Sequence, residues 1–347
     1  MLYLGIDMHS KWFTLAGFDK ATGELFQRRK TENTPAAMAA LFADLPSPRC
    51  GAMESGTNAV AMHRLLAPYF QELIIVAPHK VWDRQHNKTV KTDHRDALAL
   101  AEKLARKELT PVFVPTDDLR EWRTLGRARI QTTQLVTQVT NQLYALLRGW
   151  GYLDEKSLLS KAGRTWMKRL TLPALAQQVL DASLTTLETL QQREMAYEEA
   201  LTTLGNADPI CQLLRTIPYV GPFTAFILRA EIGDIARFAT ADALIAYSGL
   251  APRVFQSGDH CRYGALTKVG NVYLRYVAVL LAQNAVKGKQ DTPFKRRYYR
   301  LAHTHELNEI KVMLARDFLA VVHSMWRHQT PWHDQRRDLA ACQPSVA

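Results

Sequence analysis

The sequence predicts a mixed α/β domain followed by a mostly helical second half. Three β-rich runs come first, at residues 2–6, 12–18 and 24–29, with no helical pattern between them. Helix and strand patterns then alternate as far as residue 76, and beyond residue 117 the apolar residues recur mainly at helical spacings. Strands first, then helix, strand, helix and strand, is an order typical of a mixed sheet with flanking helices.

The first three strands are predicted to form a hairpin or meander, because polar turn residues at 20–23 separate the second from the third. Pro35 begins an Ala/Leu-rich helix that reaches about residue 45. A strand at 49–53 ends at Glu54, a helix follows over 58–69, and 73–76 is an all-apolar strand.

Long helices dominate the middle of the chain. A broad apolar stripe predicts a helix over 92–107, for which Thr92 is a suitable N-cap. A second helix is predicted from 117 to about 148, where Gly149-Trp150-Gly151 ends it. Leucines at helical spacing over 174–204 predict an antiparallel helical hairpin or a coiled coil. The pattern leaves open whether this stretch contacts another copy or packs within the chain.

The last portion contains a helix–hairpin–helix-like element. Helices are predicted over 209–216 and 223–231, with a tight turn at 217–222 between them. Such a turn points backbone N–H groups at a phosphate. More helices are predicted over 241–247, 274–285 and 306–326. The predicted domains are 1–150, 151–208 and 209–347.

Charge indicates a polyanionic partner. The chain has 347 residues and a net charge of +11, and residues 253–337 alone carry 15 basic against 6 acidic side chains. A basic region of this kind favours nucleic acid, although a solubilising surface is the simpler explanation. The sequence contains no apolar run of the roughly 18 residues that a membrane span needs and no nucleotide-binding GxxxxGK[ST] motif. Four widely spaced cysteines and the absence of a signal-peptide pattern predict a cytoplasmic protein.

Four carboxylates occur where separate elements begin or end. Asp7 closes the first strand, Glu54 follows a later strand, and Asp93 and Asp96 share one face at the start of a helix. Each has a structural explanation by itself, as a turn cap, a loop residue or a complement to the helix dipole. Together they predict a site for Mg²⁺, or Mn²⁺, because clustered carboxylates need a cation to remain ionised.

The motifs around these acids resemble one family. Gly5-Ile6-Asp7-Met8-His9-Ser10-Lys11, Glu54-Ser55-Gly56 and the segment 91–97 resemble the DEDD domain of the IS110 family of bacterial insertion-sequence transposases, which are related to pilin-gene invertases. The resemblance implies an N-terminal RNase H-like, RuvC-like fold in which Asp7, Glu54, Asp93 and Asp96 are catalytic metal ligands.

A second set of motifs resembles the C-terminal transposase domain of the same family. It comprises the segments 217–225, 230–234, 247–252, 256–258 and 267–271. The resemblance implies that Ser257 is a nucleophile that forms a phosphoserine link to DNA. Without the family, Ser257-Gly258 would simply be a turn. Ser248 is the rival serine, in a position that suits a structural turn.

The resemblance also implies partners. These are donor and target DNA, a structured noncoding guide RNA, and a homodimer that assembles to a tetramer, with Ser257 and the carboxylates in a site shared between domains or subunits. Basic residues near Ser257 and in an aromatic-rich run are candidates for nucleic-acid contact, with a solvated surface as the alternative: Arg253, Arg262, Lys268, Arg275, Lys295, Arg296, Arg297 and Arg300.

Two other functions are compatible with the same residues. One is a RuvC-like nuclease in which activated water attacks the phosphate, and the other is an inactive nucleic-acid-binding protein. The complete set of four acids argues against the second.

Overall fold

The computed structural model describes residues 1–77, 92–152, 157–257 and 260–333; at 28–29, 254–257 and 260–263 it describes only the main chain. The chain forms two compact units, Met1–Pro115 and Thr116–Ala347. The domain boundaries predicted from the sequence stay predictions. Within the described ranges, no helix is both long and apolar enough to cross a membrane.

The first unit is built on a five-stranded mixed sheet, as the sequence predicted. Its strands are β1 (Leu2–Met8), β2 (Trp12–Asp19), β3 (Leu25–Glu32), β4 (Arg49–Glu54) and β5 (Glu72–Val76), in the spatial order β3-β2-β1-β4-β5. The first three form an antiparallel meander, whereas β4 and β5 run parallel to β1. The carboxyl ends of β1, β4 and β5 therefore lie at one edge.

Helices cover both faces of this sheet. On one face, α1 (Pro35–Ala43) and α2 (Ala59–Leu66) pack over alternate residues of β1, including the buried Leu4 and Ile6. On the other face lies α3 (Asp93–Ala105), which buries Leu100 and Leu104 against β4 and β5. Strand alternation assigns each residue of β1 to one of these two faces.

The second unit is mostly helical. Its helices are α4 (Asp117–Gly149), α5 (Lys161–Met167), α6 (Ala174–Ala207), α7 (Pro209–Leu214), α8 (Pro222–Ile232), α9 (Ala241–Ser248), α10 (Val272–Lys287), α11 (Pro293–Leu301) and α12 (Leu307–His328). The main core of the unit lies between α8, α10 and α12. The sequence did not predict α5 or α11, which are short.

The leucine-rich stretch forms a single helix, α6, that pairs with α4 inside the chain. Leu143 of α4 and Leu184 and Leu187 of α6 share a buried core. Arg129 of α4 lies 2.9 Å from the Glu198 carboxylate of α6. The earlier residue of α4 thus meets the later residue of α6, so the two helices run antiparallel. Packing within the chain thus accounts for much of the leucine pattern.

A β-hairpin that the sequence did not predict interrupts the helices of the second unit. Its strands are β6 (Pro252–Ser257) and β7 (His260–Leu266), which pair antiparallel. The sequence considered by itself suggested a turn only at Ser257-Gly258. Ser257 is the last residue of β6, and Gly258 lies outside the part of the chain that the structure describes.

Candidate functional site

Two of the four predicted carboxylates lie side by side at the carboxyl edge of the sheet. The parallel register of β1 and β4 pairs Gly5 with Ala52 and Ile6 with Met53, so the next position aligns Asp7 with Glu54. By alternation both residues are on the face covered by α3, since Tyr3 and Cys50 on the same face pack in that core. Adjacent strands therefore bring the two carboxylates to one place.

The first turn of α3 brings the other two carboxylates to the same edge. Thr92 caps the helix, with its hydroxyl accepting from the Arg95 N–H, so Asp93 and Asp96 both lie in the first turn. Gly5 allows the close approach, because a Cβ at this position would lie 1.7 Å from the Ala97 carbonyl oxygen. From Ala97 back to Asp93 is about 6 Å along the helix, and from Gly5 to Asp7 is about 7 Å along the strand. Asp93 consequently arrives beside Asp7.

The resulting cluster contains a residue that the sequence analysis missed. Ligand atoms of Asp7, His9 and Asp93 all lie within 4.8 Å of one another, and this is the only such metal-capable group in the described part of the chain. His9 Nε2 lies 3.0 Å from Asp93 Oδ2 and 3.5 Å from Asp7 Oδ2. The position of His9, two residues after the acid in Asp7-Met8-His9, was the available signal. Glu54 and Asp96 are outside this tight group.

The charges of the other three carboxylates nevertheless all act on Asp7. Burial raises the pKa of the Asp7 carboxyl, the charges of Asp93, Asp96 and Glu54 raise it further, and His9 lowers it. Crowded, partly desolvated carboxylates with oxygen and imidazole donors fit a divalent cation, because such a cation offsets their repulsion. Asp7, Glu54, Asp93 and Asp96, together with His9, are the residues that could hold it.

Ser257 occupies the distal end of the hairpin. Its main chain pairs with that of His260, the last pair before residues 258–259, while Pro252 pairs with Leu266 at the base. Gly258 and the side chains of Ser257 and Arg262 lie outside the part of the chain that the structure describes. Ser257 is five residues along the strand from Pro252 at the base, or about 17 Å of extended chain.

Two of the sequence motifs form the base of this hairpin. The Thr267 N–H donates to the Ala251 carbonyl at 2.9 Å, and the Asn271 N–H donates to the Tyr247 carbonyl at 2.7 Å. Gly270 has a φ of +146°, and a Cβ there would lie 2.4 Å from the Tyr247 oxygen, so only glycine fits. The segments 247–252 and 267–271 are therefore complementary parts of one support.

Ser248 belongs to this support. It is fully buried, and its hydroxyl donates to the Ile245 carbonyl at 2.6 Å. Arg275 donates to the Ser248 carbonyl at 3.0 Å and to the Lys268 carbonyl at 3.2 Å. These contacts give Ser248 a structural role, and they tie Arg275, a candidate for phosphate contact, to the hairpin base.

Among the remaining basic candidates whose side chains are described, Lys295 is buried, Arg297 is partly buried and the others are exposed. Lys295 is buried and donates to the Val286 carbonyl, and Arg297 lies 2.6 Å from the buried Asp317 carboxylate. These contacts within the unit engage both charges, and the role of Lys295 and Arg297 in nucleic-acid contact stays a prediction. The exposed candidates are Arg253, Lys268, Arg296 and Arg300; Arg296 is ion-paired with Asp291.

Two family models match the chain. One, described as a transposase and named for the DEDD transposases of IS110, matches residues 4–151. The other, described as the transposase IS116/IS110/IS902 family, matches residues 211–300. The first contains the whole carboxylate cluster, and the second contains the hairpin and its base.

Individual relatives agree with these matches. The chain is 27% identical over 301 residues to the transposase for insertion sequence element IS1111A of Coxiella burnetii, covering 83% of this chain and 79% of that protein. It is 29% identical over 226 residues to the putative transposase y4qE of Sinorhizobium fredii, covering 65% of this chain and 56% of the relative. It is also 27% identical over 170 residues to the pilin gene-inverting protein of Moraxella bovis, covering 48% and 44%.

Proposed function

The chain belongs to the IS110 family of transposases, and from this premise we propose that it cuts and rejoins DNA with a carboxylate-bound divalent metal and a serine nucleophile. The observation that carries the proposal is the convergence of Asp7, His9 and Asp93, with Glu54 on the adjacent strand end. An acidic cluster at this edge repels a phosphodiester unless a cation is bound, so its presence in a transposase favours metal-assisted chemistry.

The first unit would then be an RNase H-like, RuvC-like domain. Support comes from the sheet order β3-β2-β1-β4-β5, with an antiparallel meander followed by two parallel strands, and from acids at the carboxyl ends of β1 and β4. The remaining acids enter from the first turn of α3.

Each group has a distinct role in the proposed reaction. Asp7, Glu54, Asp93 and Asp96 hold Mg²⁺ or Mn²⁺. When bound, the cation supplies Lewis-acid stabilisation of charge on the scissile phosphate. Ser257 Oγ forms a bond to phosphorus while the bond from phosphorus to the 3′ oxygen breaks, and the serine proton ends on that oxygen as a 3′ hydroxyl. The phosphoserine link retains the energy needed for a second 3′ hydroxyl to reverse the step and rejoin the strands.

The position of Ser257 is consistent with this role. It is carried at the end of a hairpin whose base is fixed by main-chain hydrogen bonds and by the close packing of Gly270. A nucleophile on a strand loses less conformational entropy when it is positioned for attack than one on a free loop. Ser248 is a weaker candidate, because it is buried and its hydroxyl already donates to the Ile245 carbonyl.

Family membership also supports the proposed partners. We infer that the protein acts on donor and target DNA, that a structured noncoding RNA encoded beside the gene guides target choice, and that the working form is a tetramer of two dimers. The exposed Arg253, Lys268 and Arg300 are the candidates for phosphate contact. Binding should therefore weaken steeply with salt, because counterions are released from each neutralised phosphate.

The test is the formation of recombined DNA junctions in cells, read by amplification across the joined ends. The gene carries its native flanking noncoding DNA, and wild type is compared with Ser257→Ala and Asp93→Asn at matched expression. Asp242→Asn is the control, because Asp242 is likewise an exposed acid in the first turn of a helix but lies outside the cluster. We expect junctions from wild type and Asp242→Asn only.

Other outcomes separate the alternatives. If Ser257→Ala forms junctions and Asp93→Asn does not, Ser257 is not the nucleophile. Attack by water, as in a RuvC-like nuclease, would then be favoured. If Asp93→Asn forms junctions, the assignment of the carboxylates as a metal site is refuted. If junction formation is unchanged after the flanking noncoding DNA is deleted, the proposal of a guide RNA is refuted.

A further inference from the structure

His9 lies where the two nearest carboxylates of the cluster converge. Its Nε2 atom faces both Asp93 Oδ2 and Asp7 Oδ2, at 3.0 and 3.5 Å. These contacts place a nitrogen donor and two oxygen donors around a common point. The imidazole is 38% exposed, so this point remains open to solvent and to ions.

The His9 main chain is held from several directions. Its N–H donates to the Trp12 carbonyl at 2.9 Å, which closes the turn between β1 and β2. Its carbonyl accepts from the Asn33 amide at 2.9 Å and from the Asn58 amide at 3.4 Å. Asn58 belongs to the segment that follows Glu54, so the same contacts connect His9 to the second acidic strand end.

A contact with a neighbouring aromatic side chain also orients the His9 imidazole ring. It packs against the Trp12 indole with the two ring centroids 5.5 Å apart. A histidine on an exposed turn that merely neutralised Asp93 would not need its backbone fixed by two asparagine amides. Fixed geometry is what a metal ligand requires, because small displacements of a donor weaken binding.

We propose that His9 Nε2 is a ligand of the metal and that it makes the site prefer Mn²⁺ over Mg²⁺. Carboxylate and water ligands suit both ions. Mg²⁺ is a hard ion that takes oxygen ligands and retains its waters, so an imidazole nitrogen in the ligand set disfavours Mg²⁺ more than Mn²⁺. The inference rests on the proposed carboxylate metal site and adds a donor and a selectivity to it. An all-oxygen set made from Asp7, Glu54, Asp93 and Asp96 would bind the two ions with a smaller difference in affinity.

The experiment measures metal binding by the purified full-length protein, without DNA. Titration with Mn²⁺, followed by the paramagnetic resonance of the free ion, gives one affinity, and competition by Mg²⁺ gives the other. Pulsed resonance of the bound Mn²⁺ detects a directly coordinated nitrogen. The variants are His9→Ala, Asp93→Asn and, as a control, His303→Ala, which removes an exposed histidine outside the cluster.

We expect His9→Ala to weaken Mn²⁺ binding by about tenfold or more while Mg²⁺ affinity changes much less. The nitrogen coupling should be present in wild type and His303→Ala and absent in His9→Ala. Asp93→Asn should weaken both ions.

Failure of this inference can be told apart from failure of the proposed metal site. If Asp93→Asn leaves Mn²⁺ binding unchanged, the carboxylate site itself is wrong. If Asp93→Asn weakens binding but wild type shows no nitrogen coupling, His9 is not a ligand. Equal weakening of Mn²⁺ and Mg²⁺ by His9→Ala would refute the selectivity and leave His9 as a residue that only positions Asp93.

Discussion

Removal of a buried carboxylate, that of Glu231 in α8, is expected to destabilise the second unit strongly. Glu231 is 1% exposed, and its carboxylate accepts hydrogen bonds from Nε and Nη2 of Arg127, at 2.7 and 2.9 Å. The Asn271 amide donates to the same carboxylate at 2.7 Å, and Arg123 Nε lies 3.6 Å away. Glu231 thus connects α4, α8 and the start of α10.

Replacement by alanine should be costly, because it leaves charged partners without their carboxylate. Breaking a buried ion pair from one side costs about 3–5 kcal/mol. The Arg127 side chain is 38% exposed and can turn toward water, so the lower end applies, about 3 kcal/mol. For a unit of this size, that corresponds to a decrease in Tm of roughly 6–12 °C.

The measurement is thermal unfolding of the full chain by calorimetry, comparing Glu231→Ala and Glu231→Gln with Glu199→Ala. Glu199 is an exposed glutamate of α6 and should change stability by less than about 0.5 kcal/mol. Glu231→Gln keeps part of the hydrogen bonding and should fall between the two. A Tm for Glu231→Ala equal to that of Glu199→Ala would refute the argument that this network stabilises the unit.

Three more predictions follow from single contacts. Gly5→Ala should push α3 away from β1 and weaken Mn²⁺ binding, because its Cβ would meet the Ala97 oxygen; Gly149→Ala, where the space is open, is the control in the same titration. Ser248→Ala should lower the free energy of unfolding by about 1 kcal/mol and still give recombined junctions, since the hydroxyl only bonds the Ile245 carbonyl. Burial raises the pKa of Asp317 to about 6, although Arg297 is adjacent. Its carboxyl therefore binds a proton more tightly in the folded state, and this stabilisation is lost as pH rises from about 4 through 6. Asp317→Asn should flatten that part of the stability profile in urea unfolding, and an unchanged slope would contradict it.

The carboxylate cluster could be predicted from the sequence because local rules position most of it. Strand alternation places Asp7 on the same face as Gly5, and the helix period keeps Asp93 and Asp96 together. Thr92 begins α3 as predicted, which fixes where the two acids enter. Each of these rules operates within one element.

The position of His9 and the formation of the hairpin depend instead on contacts between residues that are far apart in the sequence. The His9 carbonyl is bonded by amides 24 and 49 residues away. The hairpin base requires Tyr247 and Asn271 to meet, and Gly270 to adopt a backbone that other residues avoid. Helical or strand periodicity carries no information about such pairings, so it did not predict the hairpin.

The hairpin also changes what its motifs mean. The segments 247–252 and 267–271 carry much of the family resemblance, yet the structure uses them to fix a base through Ser248, Gly270 and Arg275. A motif rich in glycine and serine is therefore weak evidence that its own serine reacts. Ser257 stands about 17 Å of strand away, at the end that the base supports. In this arrangement the two segments support the strand that carries Ser257, the proposed nucleophile. Loss of activity on mutating the base would therefore not identify a catalytic residue, whereas loss in Ser257→Ala with an unchanged Tm would support that role.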